Sequence, residues 1–414
     1  MTQGTPISPK GGGKRPPPGR TVALANVVPP DNSGRTMFLA SCGVLILMMG
    51  GLAAACAFMN VFGSFAEKPM ISFVSAFNAV VLAIPYFMVI LWMDRNEKEP
   101  PHLIASAFLW GAIMSTMISC VVNTLFGAIA QGVIGDPAAA GQLTASISAP
   151  FIEELTKGAA LWVIFLFFKK DFDNVMDGIV YGALVGLGFA AFENFMYYAR
   201  TDTLLSTFVL TMMRGVIGSV GSHACYTALT GIGFGLFRVM RKGALRWAMP
   251  PLFLGLSMFT HFAWNTFVGF FFPSNYTPGG IIQELAMIIT SMGSAVFILQ
   301  LPFVVFVLIV TAVSLRHERK LIEQYLSTEV APVLMPGELQ RLVPARRRSW
   351  HSFKLLATFR LGEWFKTRKR NRKLIRLAFE KWHMDQEAKL DQKIQGHYHA
   401  ERVLGLRKEL ADLA

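Results

Sequence analysis

A chain of 414 residues that is 53% hydrophobic and 16% charged falls well short of the ~25% charge of a typical soluble domain. So much apolar side chain needs lipid as its solvent, which excludes an ordinary water-soluble globule. The net charge of +13 is unevenly placed, and ten of those charges fall in the last hundred residues.

Residues 1–35 are rich in Gly, Pro and Lys without apolar periodicity, which predicts a disordered leader. Eight apolar runs follow, at 37–63, 71–93, 103–131, 148–168, 174–198, 207–238, 248–272 and 280–314. Each is long enough to cross a hydrocarbon core of ~30 Å as a helix. The expected fold is therefore all-α and polytopic, with about eight transmembrane helices. The sixth and eighth runs exceed what one straight span needs, so tilting, protrusion or a break is expected there, with Pro302 a kink point in the eighth. Lys10, Lys14, Arg15, Arg20 and Arg35 precede the first run, Arg95 and Lys98 follow the second, Lys169 and Lys170 the fourth, and Arg238, Arg241, Lys242 and Arg246 the sixth. Basic residues gather on the cytoplasmic side. The opposite connections hold little beyond Lys68 and Arg200, and 132–143 and 273–280 have no Lys or Arg. Both termini are thus expected in the cytoplasm.

Cys42, Cys56, Cys120 and Cys225 all fall within apolar runs and lack C-x-x-C spacing, so no disulfide is expected. The segment 53–56 is similar to a lipoprotein processing site, but the apolar run continues through Ala57, Phe58 and Met59, which favours an uncleaved first span. Residues 315–414 form a polar tail with basic clusters at 346–348 and 366–373, interleaved with Trp350, Phe353, Phe359, Trp364, Phe365, Phe379 and Trp382. This pattern suits basic amphipathic helices on an anionic inner leaflet. A plain solvated helical tail fits as well, whereas nucleic-acid binding lacks any recognisable module.

Ionisable groups within lipid cost ~2.5–3.5 kcal/mol each on insertion scales, so they face the bundle interior and do work there. Glu153, Glu154 and Lys157 open the fourth run, Glu193 and Asn194 close the fifth, His223 lies in the sixth, and His261, Trp264 and Asn265 lie in the seventh. With the orientation above, Glu153, Glu154, Glu193, His223 and His261 all fall in the outer half of the bilayer. Gly215, Ser219, His223, Thr227, Gly231 and Gly235 repeat every four residues, a small-residue packing stripe that turns His223 toward other helices. Gly178, Gly182 and Gly186 make a similar stripe. Glu153 and Lys157 are spaced for an ion pair, and Glu153 and Glu154 point ~100° apart, so one of them is expected to face the site. Asp177 reads as a cap or fold contact. Arg214 reads as either an interfacial anchor or a counter-charge to Glu193. Two histidines with two or three carboxylates suit a catalytic Zn2+ site, for which His223, His261 and Glu193 are the candidate ligands, with a remaining Glu as general base. Direct activation of water by one Glu and one His is the metal-free alternative.

These residues resemble the PrsW-type intramembrane proteases. The resemblance is carried by Glu153, Glu154 and Lys157; by Asp177-Gly178 and Tyr181-Gly182 running on to Glu193-Asn194; by His223-Ala224 with Thr227, Gly231 and Gly233; and by His261, Trp264 and Asn265. The loop 94–100 is similar to the family's acidic, proline-containing loop, with Lys98 where a proline is expected. A wider likeness extends to the CAAX-processing and bacteriocin-processing membrane proteases, with Glu193 in a position those enzymes give to His. The likeness covers about residues 70–315. It implies peptide-bond hydrolysis in the membrane by Glu153 or Glu154 with His223 and His261, helped by Glu193 and Asn265, on a membrane-anchored protein such as an anti-sigma factor cut near its outer face. A bacterial cytoplasmic membrane is the implied location. The leader and the tail depart from the compact family pattern.

The expected function is thus an intramembrane peptidase with a domain at 36–314 and a basic helical tail at 315–414. Its rivals are a transporter using the same Glu and His groups as a proton relay, a haem or metal-binding membrane protein, and an inactive scaffold. No internal repeat supports the transporter.

Overall fold

The computed structural model describes residues 33–218, 222–240, 243–271, 288–389 and 396–414, and every regular element among them is a helix. The expected leader up to residue 32, the 273–280 connection and the first residues of the eighth predicted span lie outside the described residues. Residues 50–414 form one compact unit. The helices are α1 (Ser33–Glu67), α2 (Pro69–Met93), α3 (Pro101–Ile134), α4 (137–167), α5 (Val175–Ala199), α6 (Leu204–Ile217), α7 (His223–Val239), α8 (Ala244–Phe271) and α9 (288–326). Four more helices belong to the tail: α10 (Glu338–Leu342), α11 (Ala345–Ala357), α12 (Leu361–Lys389) and α13 (Gly396–Ala411).

Five of these are long and apolar enough to cross a membrane by length and composition: Ile46–Glu67, α2, α3, α5 and Ile289–Leu326. Their outward faces carry Phe58, Phe62, Phe73, Phe77, Trp92, Leu125 and Ile129, all largely exposed, which is the lipid-facing bulk such helices need. The fourth predicted span begins earlier than expected. Gly135 takes a left-handed turn at φ 77°, Asp136 caps the next helix through the amide of Ala138, and α4 starts at Pro137, well before residue 148. The sixth predicted run breaks into α6 and α7. Its upper part, Thr211–Ile217, winds as a π-helix, which shifts the helical phase. The expected stripe from Gly215 to Gly235 is therefore interrupted, and Ser219 lies outside the described residues; only the part from His223 onward keeps the four-residue face. In α9 the π-helical Val296–Gln300 gives way to α geometry at Leu301, with Pro302 in the first turn of the new segment, at the point where the sequence placed a kink.

The centre of the unit is α5, enclosed along almost its whole length. Its small-residue face meets α7 backbone to backbone. A Cβ on Gly182 would stand 2.5 Å from the Thr227 carbonyl oxygen, and one on Gly186 would stand 2.8 Å from the Ala224 Cα. Gly178 and Gly231 face one another in the same way. In lipid, where apolar side chains gain little by leaving their solvent, such close backbone approach is a main source of helix association. These contacts fix the register of His223 at the start of α7 against Glu193 near the end of α5.

The tail folds around its own core. Leu321, Ile322 and Leu326 of α9 pack with Leu342, Leu374, Leu377, Ala378, Phe379, Val403 and Leu410. Buried Arg370 is held by Glu338, at 2.6 Å from Nε to Oε1, and by the Leu410 carbonyl at 2.8 Å. The aromatic residues of the tail consequently divide: Phe379 is interior, while Trp350, Phe353, Phe359 and Phe365 stay exposed.

Candidate active site

Four helices bring the intramembrane ionisable groups into one buried cluster. Glu153, Glu154 and Lys157 come from α4, Glu193 from α5, His223 from the first turn of α7 and His261 from α8. Lys157 has no exposed side-chain surface and lies at the centre. Its Nζ donates to Glu154 Oε1 at 2.8 Å and to His223 Nδ1 at 2.9 Å, stands 3.6 Å from Glu153 Oε2, and lies 3.6 Å from the centroid of the Phe189 ring. The two glutamates do not split into one facing the site and one facing away, as their angular separation suggested. Both are buried and both reach the histidines, because a side chain with three torsions can swing back across ~100° of helix surface.

Glu154 is fully engaged. Its Oε1 accepts from Lys157 and, at 3.1 Å, from His261 Nδ1; its Oε2 accepts from Ser257 Oγ at 2.8 Å and from Thr227 Oγ1 at 3.2 Å. Glu193 Oε2 accepts from Arg214 Nη2 at 2.8 Å and from His223 Nε2 at 3.0 Å, and Arg214 Nε also donates to Asn194 at 3.2 Å. Arg214 is thus the counter-charge to Glu193. Tyr226 stacks on the His261 ring at 5.2 Å. Asn265 stands apart from the cluster: its Nδ2 donates to the Ala145 carbonyl at 2.9 Å, tying α8 to the π-helical turn Thr144–Ser148 of α4. Asp177 closes a capping box with Asn174 at the start of α5. Cys56, Cys120 and Cys225 are free thiols.

Hydrogen bonding assigns the histidine tautomers. His261 gives its Nδ1 proton to Glu154, which leaves Nε2 as an acceptor. That nitrogen faces Glu153 Oε2 at 3.8 Å, and Glu153 Oε2 is buried without a hydrogen-bond partner. Two acceptors facing each other require a proton or a cation between them. Donor atoms of Glu153, His223 and His261 all lie within 4.8 Å of one another. Two donors on one Zn2+ stand at most ~4.2 Å apart when each bond is ~2.1 Å, so the Glu153 and His261 atoms fit such an ion without moving. Three carboxylates, Glu153, Glu154 and Glu193, cluster there with two basic side chains, Lys157 and Arg214. The sequence reading placed Glu193 among the candidate ligands; in the structure Glu193 Oε2 is hydrogen-bonded to His223 Nε2, and the three residues whose donor atoms gather within 4.8 Å are Glu153, His223 and His261. Ser257, absent from the sequence reading, and Thr227, read there as part of a packing stripe and of the His223 block, lie four residues from His261 and from His223, a helical spacing that could have revealed their part in holding Glu154.

Glu153 also opens outward. It forms part of the wall of a cavity of about 370 Å³ between α3 and α4, lined by Asn123, Gly127, Gly141, Thr144, Ala145 and Tyr197 among others. A second cluster gathers at the other end of α5. The loop between α2 and α3 brings Asp94, Glu97 and Glu99 against Asp173 and Asp177. Burial raises Asp94 to about 7, against the weaker opposing effects of Lys98 and the Glu99 amide. Burial, reinforced by neighbouring carboxylates, also lifts Glu97 and Glu99 well above the ordinary range.

A family model described as PrsW family intramembrane metalloprotease matches residues 99–313. Protease PrsW of Geobacillus kaustophilus (strain HTA426) is 34% identical over 193 residues, covering 45% of this chain and 77% of that protein. Protease PrsW of Halalkalibacterium halodurans is 28% identical over 187 residues, covering 45% and 79%, and Protease PrsW of Bacillus subtilis (strain 168) is 33% identical over 105 residues, covering 25% and 44%. No solved structure matches the chain.

Proposed function

Because the chain belongs to the PrsW family of intramembrane metalloproteases, we propose that it hydrolyses a peptide bond of a membrane-anchored protein at the Glu153, His223 and His261 cluster. The observation that carries this reading is the pair of facing atoms Glu153 Oε2 and His261 Nε2, of which Glu153 also lines the cavity between α3 and α4. Glu153, His223 and His261 would hold the metal, which lowers the pKa of bound water toward neutrality and polarises the scissile carbonyl. Zn2+ suits this mixture of imidazole and carboxylate donors.

The other residues position these three. Glu154 fixes the tautomer and direction of His261, as a carboxylate behind a ligating histidine commonly does, and Ser257, Thr227 and Lys157 hold Glu154. Glu193, steadied by Arg214, accepts from His223 Nε2, and His223 would ligate through Nδ1 only as Lys157 Nζ gives up that nitrogen. Asn265 secures the cavity wall at Ala145 rather than touching the reacting groups.

Our reading of the topology keeps both termini cytoplasmic in a bacterial inner membrane, with eight crossings of which α6 and α7 together make one. Asp177 lies at the inner end of α5, and Glu193 is sixteen residues further on, ~24 Å at 1.5 Å per residue. That depth favours cleavage near the outer face, and an anti-sigma factor is the substrate the family resemblance implies. At the inner face, exposed Trp350, Phe353, Phe359 and Phe365 amid basic residues favour contact between the tail and anionic lipid. Quenching of Trp350 fluorescence by brominated anionic lipid would be absent if the tail stood clear. The site itself is tested by counting metal per chain and cleavage of a membrane peptide in wild type, Glu153→Gln and His261→Ala. Each variant is expected to lose about one equivalent of Zn2+ relative to wild type, together with activity; full activity in folded His261→Ala refutes the assignment.

A further inference from the structure

The acidic loop 94–100 takes no part in the intramembrane cluster, yet the tail reaches back to it. Arg348 Nη2 donates to Asn96 Oδ1 at 2.7 Å, and Asn96 Nδ2 donates to Glu318 Oε2 at 2.9 Å. Beside these contacts, His383 of α12 points its Nε2 at two carboxylates from separate loops. Asp173 Oδ2, between α4 and α5, is 3.3 Å away, and Glu97 Oε1, between α2 and α3, is 3.6 Å away. The three donor atoms lie within 4.8 Å of one another. The other oxygen of Glu97 is buried and has no hydrogen-bond partner.

We propose that Glu97, Asp173 and His383 form a second divalent-cation site, one that fastens the tail to the two inner loops of the membrane domain. The spacings of 3.3 and 3.6 Å lie inside the ~4.2 Å that two donors on one Zn2+ span. One imidazole with two carboxylates favours Zn2+ or Mn2+ over Mg2+ or Ca2+, which prefer oxygen alone. The three side chains are only partly covered, at 18%, 20% and 29% exposed for His383, Asp173 and Glu97, so an ion can enter from the aqueous side. Three chain segments far apart in sequence meet here, so the ion's binding energy would be spent on docking the tail. This inference stands apart from the hydrolytic site and survives if that reading fails.

Full-length protein, stripped by chelation and reloaded with Zn2+ or Mn2+, gives the test through metal per chain and hydrogen exchange of residues 361–385. Expected is one equivalent missing from both His383→Ala and Glu97→Gln but retained in His261→Ala. Exchange in α12 should rise on chelation in wild type and be raised at the outset in His383→Ala. Wild-type metal content in both His383→Ala and Glu97→Gln overturns the site, and so does exchange that chelation does not move. His383→Lys separates a simple ion pair from ligation, because lysine restores charge without offering a lone pair. Tail protection that persists in His383→Lys and resists chelation refutes the cation and leaves a salt bridge in its place.

Discussion

Replacing Gly186 by Ala is the most direct way to ask whether glycine packing sets the catalytic geometry. The added Cβ would lie 2.5 Å from the His223 carbonyl carbon and 2.8 Å from the Ala224 Cα, whereas unstrained carbon contacts sit at ~3.5–4.0 Å. Backbone stands on both sides, so no rotamer can relieve the clash, and α5 and α7 must separate by about 1 Å. The His223 to Glu193 hydrogen bond of 3.0 Å would stretch past the limit of useful bonding. A displacement of about 1 Å at a reacting group costs on the order of 10²-fold in rate, while overpacking costs about 1–3 kcal/mol of stability. The expected outcome is an inserted, helical protein with cleavage of a membrane peptide reduced ~100-fold and weakened metal retention. Gly255→Ala is the control, since a Cβ there meets nothing within 4 Å. Wild-type turnover in Gly186→Ala, with Gly255→Ala unchanged, would refute the argument.

Lys157→Met removes a fully buried cation from between Glu153, Glu154 and His223; leaving those carboxylates uncompensated should lower stability by about 3–5 kcal/mol, read as a drop in thermal midpoint in detergent. An unchanged midpoint would contradict that compensation argument. In the loop between α2 and α3, Asp94 is held up at about 7 against an ordinary value of 3.8, so the folded state binds the proton more tightly than the unfolded state. Its contribution to stability is present below the unfolded value and is lost as pH rises through about 7. Asp94→Asn, which mimics the protonated acid, should therefore raise the thermal midpoint at alkaline pH and not at acid pH. Equal effects at both ends of the range would contradict that burial argument.

Much of the site was legible because its residues are expensive where they stand. Charged and imidazole groups in apolar runs drew attention to Glu153, Glu154, Glu193, His223 and His261, and all five meet in one cluster. The rest was hidden by departures from a uniform 3.6-residue period. π-helical turns at 110–115, 144–148, 211–217 and 296–300 shift the phase, so a stripe drawn through Gly215 cannot be continued to His223. The family resemblance implied a helping role for Asn265, and nothing in the sequence says that Ala145 would come within reach of its amide. The tail read as surface helices because its charge masks a core whose helical members, from Leu321 to Leu410, lie on four helices.

The two polar clusters lie toward opposite ends of a single rod. α5 begins beside Asp173 and carries Glu193 near its far end, and backbone contacts at Gly178, Gly182 and Gly186 clamp its length against α7. A rod held at three levels cannot tilt at one end without breaking those contacts, because close-packed backbone has no soft side chain to yield. Release of the tail at the inner end should therefore leave the spacing between His223 and Glu193 unchanged. The glycine face explains how a charged site can sit within lipid at a fixed geometry while the inner surface of the same helix is free to serve as an attachment point for a domain the compact family pattern does not include.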